Sequence, residues 1–256
     1  MTTRHFGFTF GRTAKGEEKD YEELQERLAR GEITEHKNES PSQRTQSSNA
    51  PNLDGFIYVP SINLYVAKER SLHGSNWDQA HQRLQADRKR MLTIPEFWNF
   101  VNYLKTGYQD KNEANRILDD IFKIGTWRAE WLDAHFEKRG EEFFVNYTHE
   151  LKNGVLIPKN SDKLETCIMD SDCFANLNSV NRQGLLVIKS STQSYVQGTN
   201  VHFWHPRDKA VAGFDAGSDW AILDCEWGRS DSNADLGVRF ACAEGTAAPL
   251  GALRRR

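Results

Sequence analysis

The sequence predicts a protein of the α+β class, in which helices precede a region of short strands. Apolar residues recur at helical spacing between positions 75 and 122, as in amphipathic helices. After Gly125 the spacing changes to the alternation that is typical of strands. From Gly154 onward the chain is rich in Gly, Asn, Ser and Asp, with apolar runs of four or five residues. This predicts short irregular strands joined by long structured loops.

The chain of 256 residues divides into four predicted regions. Residues 1–32 form a charged segment with one thin apolar stripe at helical spacing. Residues 33–52 are nearly all polar, which predicts a linker or mobile loop because such a segment cannot bury enough apolar surface to offset its ordering entropy. Residues 53–245 are expected to form the folded domain, and the Gly/Ala/Pro-rich residues 246–256 a flexible tail.

Local signals predict the individual elements of the folded domain. Phe56–Val59 and Leu64–Ala67 are expected to form a strand pair joined by a turn. Three helices follow: one opening near Ser75 or Asn76, a second opening at the capping box of Thr93 and Glu96, and a third from about Ala114 to Phe122. Strands are then expected at 127–137, 143–151, 185–188, 201–204 and 210–214.

Composition argues against several classes of partner. The formal net charge of −3 creates no global field that would attract nucleic acid or an anionic membrane. No apolar run approaches the ~20 residues that span a bilayer, and Met1 to Gly11 lack the apolar core of a signal peptide. The expectation is a cytoplasmic monomer, with surface display by another route left open.

Four cysteines are present, and their spacing matches no zinc-binding pattern. They are therefore expected to be small buried side chains, and no metal or other cofactor is predicted.

The segment from Gly217 to Ala243 has the strongest pattern in the chain. At strand period its first half places small or apolar residues on one face and chemically mixed residues on the other. The first face holds Ala221, Leu223, Cys225 and Trp227, and the second holds Trp220, Ile222, Asp224 and Glu226. A mixed face beside a uniform one suggests that the mixed face is free of packing constraints and points outward. The alternative is an ordinary surface hairpin.

A polar loop and a closing strand complete this segment. Residues 228–235 are rich in short side chains with hydrogen-bonding tips, which is turn and loop chemistry. Leu236, Val238, Phe240 and Cys242 then alternate along a predicted closing strand. The prediction is strand, polar loop and strand, with the outward-facing residues contiguous in space.

Three sequence runs carry a resemblance to a known family. They are His202-Phe203-Trp204-His205-Pro206-Arg207-Asp208, Gly217-Ser218-Asp219-Trp220-Ala221 and Leu236-Gly237-Val238-Arg239-Phe240. They resemble the C-terminal domains of variable proteins from diversity-generating retroelements, especially those of archaea and small uncultured bacteria. The resemblance covers roughly residues 127–243, and Thr93-Ile94-Pro95-Glu96-Phe97 also resembles the front half of such proteins, less specifically.

The resemblance implies a C-type lectin fold of the formylglycine-generating-enzyme subtype and a variable segment at about 217–240. It further implies that a reverse transcriptase, erring at template adenines, rewrites codons in that segment so that the altered residues bind diverse ligands. The candidate altered positions are Asp219, Trp220, Ile222, Asp224, Glu226, Gly228, Arg229, Asp231, Ser232, Asn233 and Asp235. The interleaved fixed frame would be Ala221, Leu223, Cys225, Trp227, Ala234, Leu236, Gly237, Val238 and Arg239.

The expected function is thus binding of an unidentified ligand, expected to be a protein, without catalysis. Trp220 and Arg229 are the best candidates for dominant contacts because Trp and Arg are enriched among such anchors.

Two other functions remain open at this stage. A metal-dependent oxidase of the same subtype would use copper held by cysteines, for which Cys225 and Cys242 are the candidates, or iron held by histidines such as His202 and His205. A calcium-dependent lectin would use acid pairs such as Asp170 with Asp172 or Asp231 with Asp235, because calcium takes six to eight oxygen ligands.

Overall fold

A computed structural model of the chain describes residues 54–243. The predicted charged segment 1–32, the predicted linker 33–52 and the predicted tail 246–256 lie outside the described residues. The described part is a mixed α+β structure in which strands dominate and the three helices all lie in the first half of the chain, as predicted. Within it no helix has both the length and the apolar character needed to cross a membrane.

Three helices and twelve strands make up the described region. The helices are α1 (Trp77–Ala86), α2 (Ile94–Thr106) and α3 (Lys111–Phe122). The strands are β1 (Phe56–Val59), β2 (Leu64–Ala67), β3 (Arg90–Met91), β4 (Arg128–Arg139), β5 (Glu142–Lys152), β6 (Val155–Lys163), β7 (Cys173–Asn176), β8 (Asn200–Trp204), β9 (Val211–Ala216), β10 (Ala221–Trp227), β11 (Leu236–Gly237) and β12 (Phe240–Cys242).

The strands form two sheets. The larger sheet has the order β6-β5-β4-β9-β10-β8-β7, with β11 pairing in parallel with β4. The smaller sheet has the order β1-β2-β12-β3. Because β10 lies between β9 and β8, its side chains have neighbours on both sides.

The two faces of the larger sheet carry different side chains. On one face α2 and α3 contribute Phe97 and Phe122, whose rings lie 4.9 and 5.4 Å from the ring of Phe214 on β9. This is the main apolar core, and Leu223 and Cys225 belong to it. A second apolar cluster contains Trp77 of α1 together with Trp131 of β4 and Val211 of β9. Alternation along each strand is what separates the two clusters.

Helix capping follows the predicted signals. Asn76 caps α1, accepting a hydrogen bond from Gln79 N at 2.9 Å, while Gln79 Oε1 accepts one from Asn76 N at 3.2 Å. At α2, Thr93 N donates to Glu96 Oε2 at 2.9 Å, and Pro95 lies in the first turn. These contacts satisfy backbone donors that the first helical turn leaves unpaired.

The predicted β1–β2 hairpin is confirmed with the predicted bounds, and a short 3₁₀ turn at Pro60–Ile62 joins the two strands. The strands predicted at 127–137, 143–151, 201–204 and 210–214 are present within two residues of the predicted bounds, as β4, β5, β8 and β9. β6 was not predicted and arises in a polar stretch that was expected to be irregular. In the predicted strand 185–188 only Leu186 forms an isolated bridge, with Val180. β6 is an edge strand with an exposed surface, so its sequence carries no strong apolar alternation.

Five charged side chains form a largely buried network between the segment after β2, α3, β4 and the C-terminal segment. Arg239, fully buried, donates from Nε to Glu130 Oε2 at 3.1 Å and from Nη2 to Asp120 Oδ2 at 2.9 Å. Arg128 Nη2 donates to Glu130 Oε1 at 2.7 Å, and Arg70 Nη2 donates to Asp120 Oδ1 at 3.3 Å. Burial raises the pKa of Glu130, but the charges of Arg239 and Arg128 outweigh it and hold that pKa below its usual range.

Candidate functional site

Strand β10 brings the central part of the predicted variable segment into the middle of the larger sheet. Its register places Ile222 between Asp215 of β9 and His202 of β8. Asp224 lies between Gly213 of β9 and Trp204 of β8. These side chains occupy the face opposite the main core, which is the face that the sequence predicted to be variable.

A β-bulge in β10 changes the direction of Trp227. The pairing with β9 shifts between Asp224, opposite Gly213, and Trp227, opposite Val211, so β10 has one extra residue there. The extra residue turns Trp227 onto the same face as Asp224. The sequence-based assignment of Trp227 to the main core face was therefore wrong, because strict alternation does not allow for a bulge.

Gly213 provides room for Trp227 on this face. A Cβ atom at Gly213 would lie 3.3 Å from Trp227 Nε1 and 3.4 Å from its Cδ1, which is tighter than most real contacts. The indole of Trp227 also meets Trp131 edge-on at 5.4 Å and lies 6.4 Å from Trp127. A side chain at position 213 would therefore push Trp227 away from the sheet.

These elements line an open pocket with a volume of about 500 Å³. We call it the tryptophan pocket, because four of its lining residues are tryptophans. Its lining consists of Gly125, Trp127, Trp204, Asp215, Gly217, Ser218, Asp219, Trp220, Ile222, Asp224 and Trp227. The volume lies within the roughly 300–1,000 Å³ that is usual for small-molecule sites.

Trp220 forms one wall of the tryptophan pocket and is 36% exposed. Its ring stacks on His202 with a centroid distance of 5.4 Å and an angle of 26°, and it meets Phe174 edge-on at 5.8 Å. The hydrogen bond from Gly217 N to Trp220 O, at 2.9 Å, closes the turn between β9 and β10. Trp220 is therefore positioned by contacts on one side while its other surface remains accessible.

Two buried carboxyl groups line the same pocket. Burial raises the pKa of Asp224 to about 8, and the negative charges of Asp215, Glu226 and Asp172 add to this increase. The hydrogen bond that Asp224 Oδ1 accepts from Glu226 N, at 2.9 Å, acts in the opposite direction and lowers the pKa. Burial also raises the pKa of Asp215 to about 7, although the charge of Arg128 lowers it. Both groups are within reach of a molecule that enters the pocket.

The structure corrects the predicted exposure of two candidate positions. Ile222 is 8% exposed and Asp224 is 2% exposed, although both were expected to point into solvent with nothing to pack against. The reason is that β10 is a central strand whose neighbours β8 and β9, together with the surrounding tryptophans, cover the sides of both residues. Glu226 is exposed as predicted, and Leu223 is fully buried as predicted.

Ten of the eleven candidate variable positions fall into two groups, and the eleventh, Glu226, is exposed near the end of β10. Asp219, Trp220, Ile222 and Asp224 line the tryptophan pocket. The polar loop after β10 holds six more, and these are exposed or half-buried: Gly228, Arg229, Asp231, Ser232, Asn233 and Asp235. We call residues 228–235 the polar loop. Ala234, assigned to the fixed frame from the sequence, is an exposed residue of this loop.

Contacts with α1, with the segment before it and within the loop itself hold the polar loop in place. Arg229 Nη2 donates to Asp78 Oδ1 at 2.5 Å, and its guanidinium lies 5.1 Å from the ring centre of Trp77. Asp231 Oδ2 accepts a hydrogen bond from Gly228 N at 2.8 Å, and Gly74 N donates to Asn233 O at 3.1 Å. Arg229 is therefore already engaged within the protein, which weakens its predicted role as a ligand anchor.

The predicted closing strand does not pair with β10. Leu236–Gly237 pairs with β4, and Phe240–Cys242 belongs to the smaller sheet. Val238 N bonds with Ser71 O at 2.8 Å between the two. The segment after the polar loop thus crosses from one sheet to the other, and its residues 236–242 are all buried.

The structure separates the residues that would carry the alternative chemistries. Cys225 and Cys242 are free thiols on strands of different sheets. His205 Nδ1 lies 2.7 Å from Asp172 Oδ1, whereas His202 lies against Trp220 and Phe174. Asp170 is paired with Lys189 at 2.9 Å, and Asp231 caps the polar loop. Between residues 54 and 243, neither the cysteine pair nor the acid pairs form a cluster of three or more ligand groups.

One group of described residues has the donor set of a metal site, and sequence reasoning missed it. His81 of α1, Asp133 of β4 and His149 of β5 are buried, with one donor atom from each within 4.8 Å of the others. His149 Nδ1 lies 2.5 Å from Asp133 Oδ1, which is a hydrogen bond that a metal ion would have to replace. Burial lowers the pKa of His81 to about 4. The long spacing of the three residues along the chain leaves no sequence motif for such a group.

A second pocket, of about 510 Å³, lies at the start of α2 and is lined by residues that include Tyr147, Asp162, Glu165 and Arg182. Its charged groups have partners: Tyr147 Oη donates to Asp162 Oδ2 at 2.6 Å, and Arg182 Nε donates to Glu165 Oε1 at 2.6 Å. The tryptophan pocket differs because its carboxyl groups face the cavity without a paired cation in its lining.

Comparisons of the chain with models of protein families, with curated proteins and with solved structures find no match. Sequence reasoning identified four of the pocket residues as binding residues. It missed Asp215, Trp127 and Trp204, which come from other strands or lie beside them. Trp204 was visible in the run from His202 to Asp208, but its face depends on the parallel pairing of β8 with β10.

The raised pKa of Asp224 predicts a pH-dependent contribution to stability. Between about pH 4 and pH 8 the folded protein retains a proton that the unfolded chain has released, so stability falls as the pH rises through this window. Asp224→Asn removes the titration. Its free energy of unfolding relative to wild type should therefore increase from pH 5 to pH 9, by at most about 1.4 kcal/mol per pH unit.

Urea unfolding of both proteins at pH 5, 7 and 9 measures this difference. Glu142→Gln, which neutralises an exposed carboxylate on β5, is the matched control and should run parallel to wild type. A constant offset between Asp224→Asn and wild type at all three pH values would contradict the prediction.

Proposed function

We propose that the protein is a ligand-binding display protein of the kind encoded by diversity-generating retroelements, built on a C-type lectin fold of the formylglycine-generating-enzyme subtype. In this proposal the tryptophan pocket and the polar loop hold the ligand. Retroelement-directed mutagenesis of template adenines rewrites the candidate positions in both, while the scaffold stays constant. The protein binds its ligand and does not transform it.

One observation carries the proposal: most frame residues are fully buried, whereas the candidate variable positions are exposed or line the pocket. Two residues assigned to the frame depart from this, since Ala234 is exposed and Trp227 lines the pocket. The frame residues Ala221, Leu223, Cys225, Leu236, Val238 and Arg239 are all 0% exposed. Every candidate variable position is exposed, lies half-buried in the polar loop or lines the pocket. Interiors are close-packed and tolerate volume changes poorly, whereas exposed positions accept most residues. In this proposal the fully buried residues of the segment keep their identity, and the residues that are exposed or face the pocket are free to change.

The arrangement of the cysteines and the acid pairs favours ligand binding over a copper oxidase or a calcium-dependent lectin. The two cysteines that copper chemistry would need lie in different sheets, and the acid pairs that calcium would need have other partners. The pocket offers aromatic surface and carboxyl groups, which suit recognition of a ligand.

A genomic comparison tests the diversification part of the proposal. A near-copy of the coding sequence for residues 217–240 should lie close to the gene, together with a reverse transcriptase gene. The two copies should differ almost only where the template has adenines, and those differences should fall on the eleven candidate positions. Differences spread equally over frame codons such as those of Leu223 and Val238, or the lack of any template copy, would refute the proposal.

A further inference from the structure

The described lining of the tryptophan pocket has acidic side chains and no basic ones. Asp215, Asp219 and Asp224 line it, and its lining among residues 54–243 includes no lysine or arginine. Within the same described range no group donates a hydrogen bond to the Asp215 carboxylate, and the nearby charge of Arg128 acts on it only at a distance. Burial raises the pKa of both groups, so neither is fully ionised near neutral pH while the pocket is empty. A cation in the pocket would favour the ionised forms and would supply the partner that buried carboxylates normally have.

The aromatic lining points to an organic cation. Trp127, Trp204, Trp220 and Trp227 come from four different positions around the cavity. The face of an indole attracts a cation through its quadrupole, and cages of several aromatic rings are used to bind quaternary ammonium groups. Four indoles and three carboxyl groups together provide both the dispersion surface and the charge that such a group requires.

A divalent metal ion fits the pocket less well. Metal ligation needs several donor atoms that converge on one point. Among the described residues only His81, Asp133 and His149 bring three such atoms together, and none of them lines the tryptophan pocket. The pocket carboxyl groups are instead spread over β9, β10 and the turn between them.

We propose that the tryptophan pocket binds an alkylammonium group, with Asp215 and Asp224 supplying the counter-charge and the four tryptophans enclosing the alkyl groups. This inference rests on the proposed function, since it assigns a ligand class to the same surface. Asp215, Trp127, Trp204 and Trp227 are not among the candidate variable positions. The part of the cation preference that depends on Asp215 and these three tryptophans would therefore persist, while changes at Asp219, Trp220, Ile222 and Asp224 would alter its strength and the fit to the rest of the ligand.

A matched pair of probes tests the ligand class. Choline and 3,3-dimethylbutan-1-ol have nearly the same shape and differ in the charge of the central atom. Isothermal titration calorimetry on the full chain should show choline binding at least about tenfold more tightly than the neutral analogue. Equal affinity of the two probes, or no binding of choline, would overturn the inference.

Substitutions locate the site. Asp224→Asn and Asp215→Asn, which preserve shape, and Trp220→Ala in the exposed turn should each weaken choline binding about tenfold. Glu142→Gln removes one negative charge on β5, outside the pocket, and should bind choline like wild type. Equal weakening in Glu142→Gln would show a general charge effect and would contradict a pocket site.

A third binding measurement shows whether the ammonium group belongs to a protein side chain or to a free small molecule. A peptide that carries trimethyllysine should bind more tightly than choline if the natural ligand is a protein side chain, and more weakly if it is a free small molecule. Failure of the choline tests would remove the ligand class and leave the genomic test of diversification untouched. Failure of the genomic test would likewise leave a measured cation site in place.

Discussion

Glu130→Gln is expected to lower the free energy of unfolding by about 3–5 kcal/mol, among the largest effects of a single substitution in this protein. Glu130 is fully buried and accepts hydrogen bonds from Arg239 and Arg128. The amide that replaces it carries no charge, so the network of three arginines keeps only Asp120 as counter-ion. The cost comes mainly from the buried positive charge that is left uncompensated.

Glu137→Gln is a matched control on the same strand. Glu137 also pairs with an arginine, Arg139, but both side chains are exposed, so solvent screens the interaction. The control should lose less than about 1 kcal/mol in the same urea titration. A similar loss of unfolding free energy in Glu130→Gln and Glu137→Gln would mean that burial does not increase the cost of removing the charge of Glu130.

A double-mutant cycle separates the charge effect from lost packing. Arg239→Met removes one of the three positive charges, so adding it to Glu130→Gln should cost less than it does in the wild-type background. Strict additivity of the two substitutions would argue against electrostatic coupling between Arg239 and Glu130.

Acid should weaken the same network. The pKa of Glu130 and that of Asp120 are both held below their usual range, where burial acts against the stronger influence of the neighbouring arginines. Groups with lowered pKa values contribute stability above their unfolded pKa and lose it as the pH falls through the folded value. Their contribution to stability therefore rises with pH, whereas that of Asp224 falls with pH.

Local signals in the sequence were enough to predict the helices, the first hairpin and the buried side of β10. Asn76, Thr93 and Glu96 act within one helical turn, and the alternation of Leu223 and Cys225 needs no information from other strands. The same applies to the loop chemistry of Asp231, which caps its own turn.

The rest of the site depends on pairings between distant parts of the chain. Trp227 joins the pocket through a bulge opposite Gly213, and Ile222 and Asp224 are buried because β8 and β9 flank them. The parallel pairing of β10 with β8 is long-range, and no short motif encodes it. A central strand and an exposed hairpin can share one alternation pattern, which is why the sequence predicted outward-facing residues where the structure has a pocket.

Leu223→Ala is expected to cost about 2–5 kcal/mol, because Leu223 is fully buried in the main core and its truncation leaves a cavity. Glu226→Ala on the same strand and Ser232→Ala in the polar loop, both at exposed candidate positions, should change stability by less than about 0.5 kcal/mol. Urea unfolding at a single pH measures all three. Comparable losses at buried and exposed positions would refute the division between frame and variable surface.

Asp224→Ala tests whether a position that is buried but faces the pocket tolerates substitution, or whether only solvent-exposed positions do. Asp224 is as buried as a core residue, yet its carboxyl group faces the tryptophan pocket and holds a raised pKa. Its loss should therefore cost much less than the loss of Leu223 above pH 8, because the substitution also removes a buried charge that lacks a cation partner in the pocket. A cost equal to that of Leu223→Ala at pH 9 would mean that position 224 belongs to the frame. A residue of β10 can therefore vary when its side chain faces the pocket, even if it has little contact with bulk solvent.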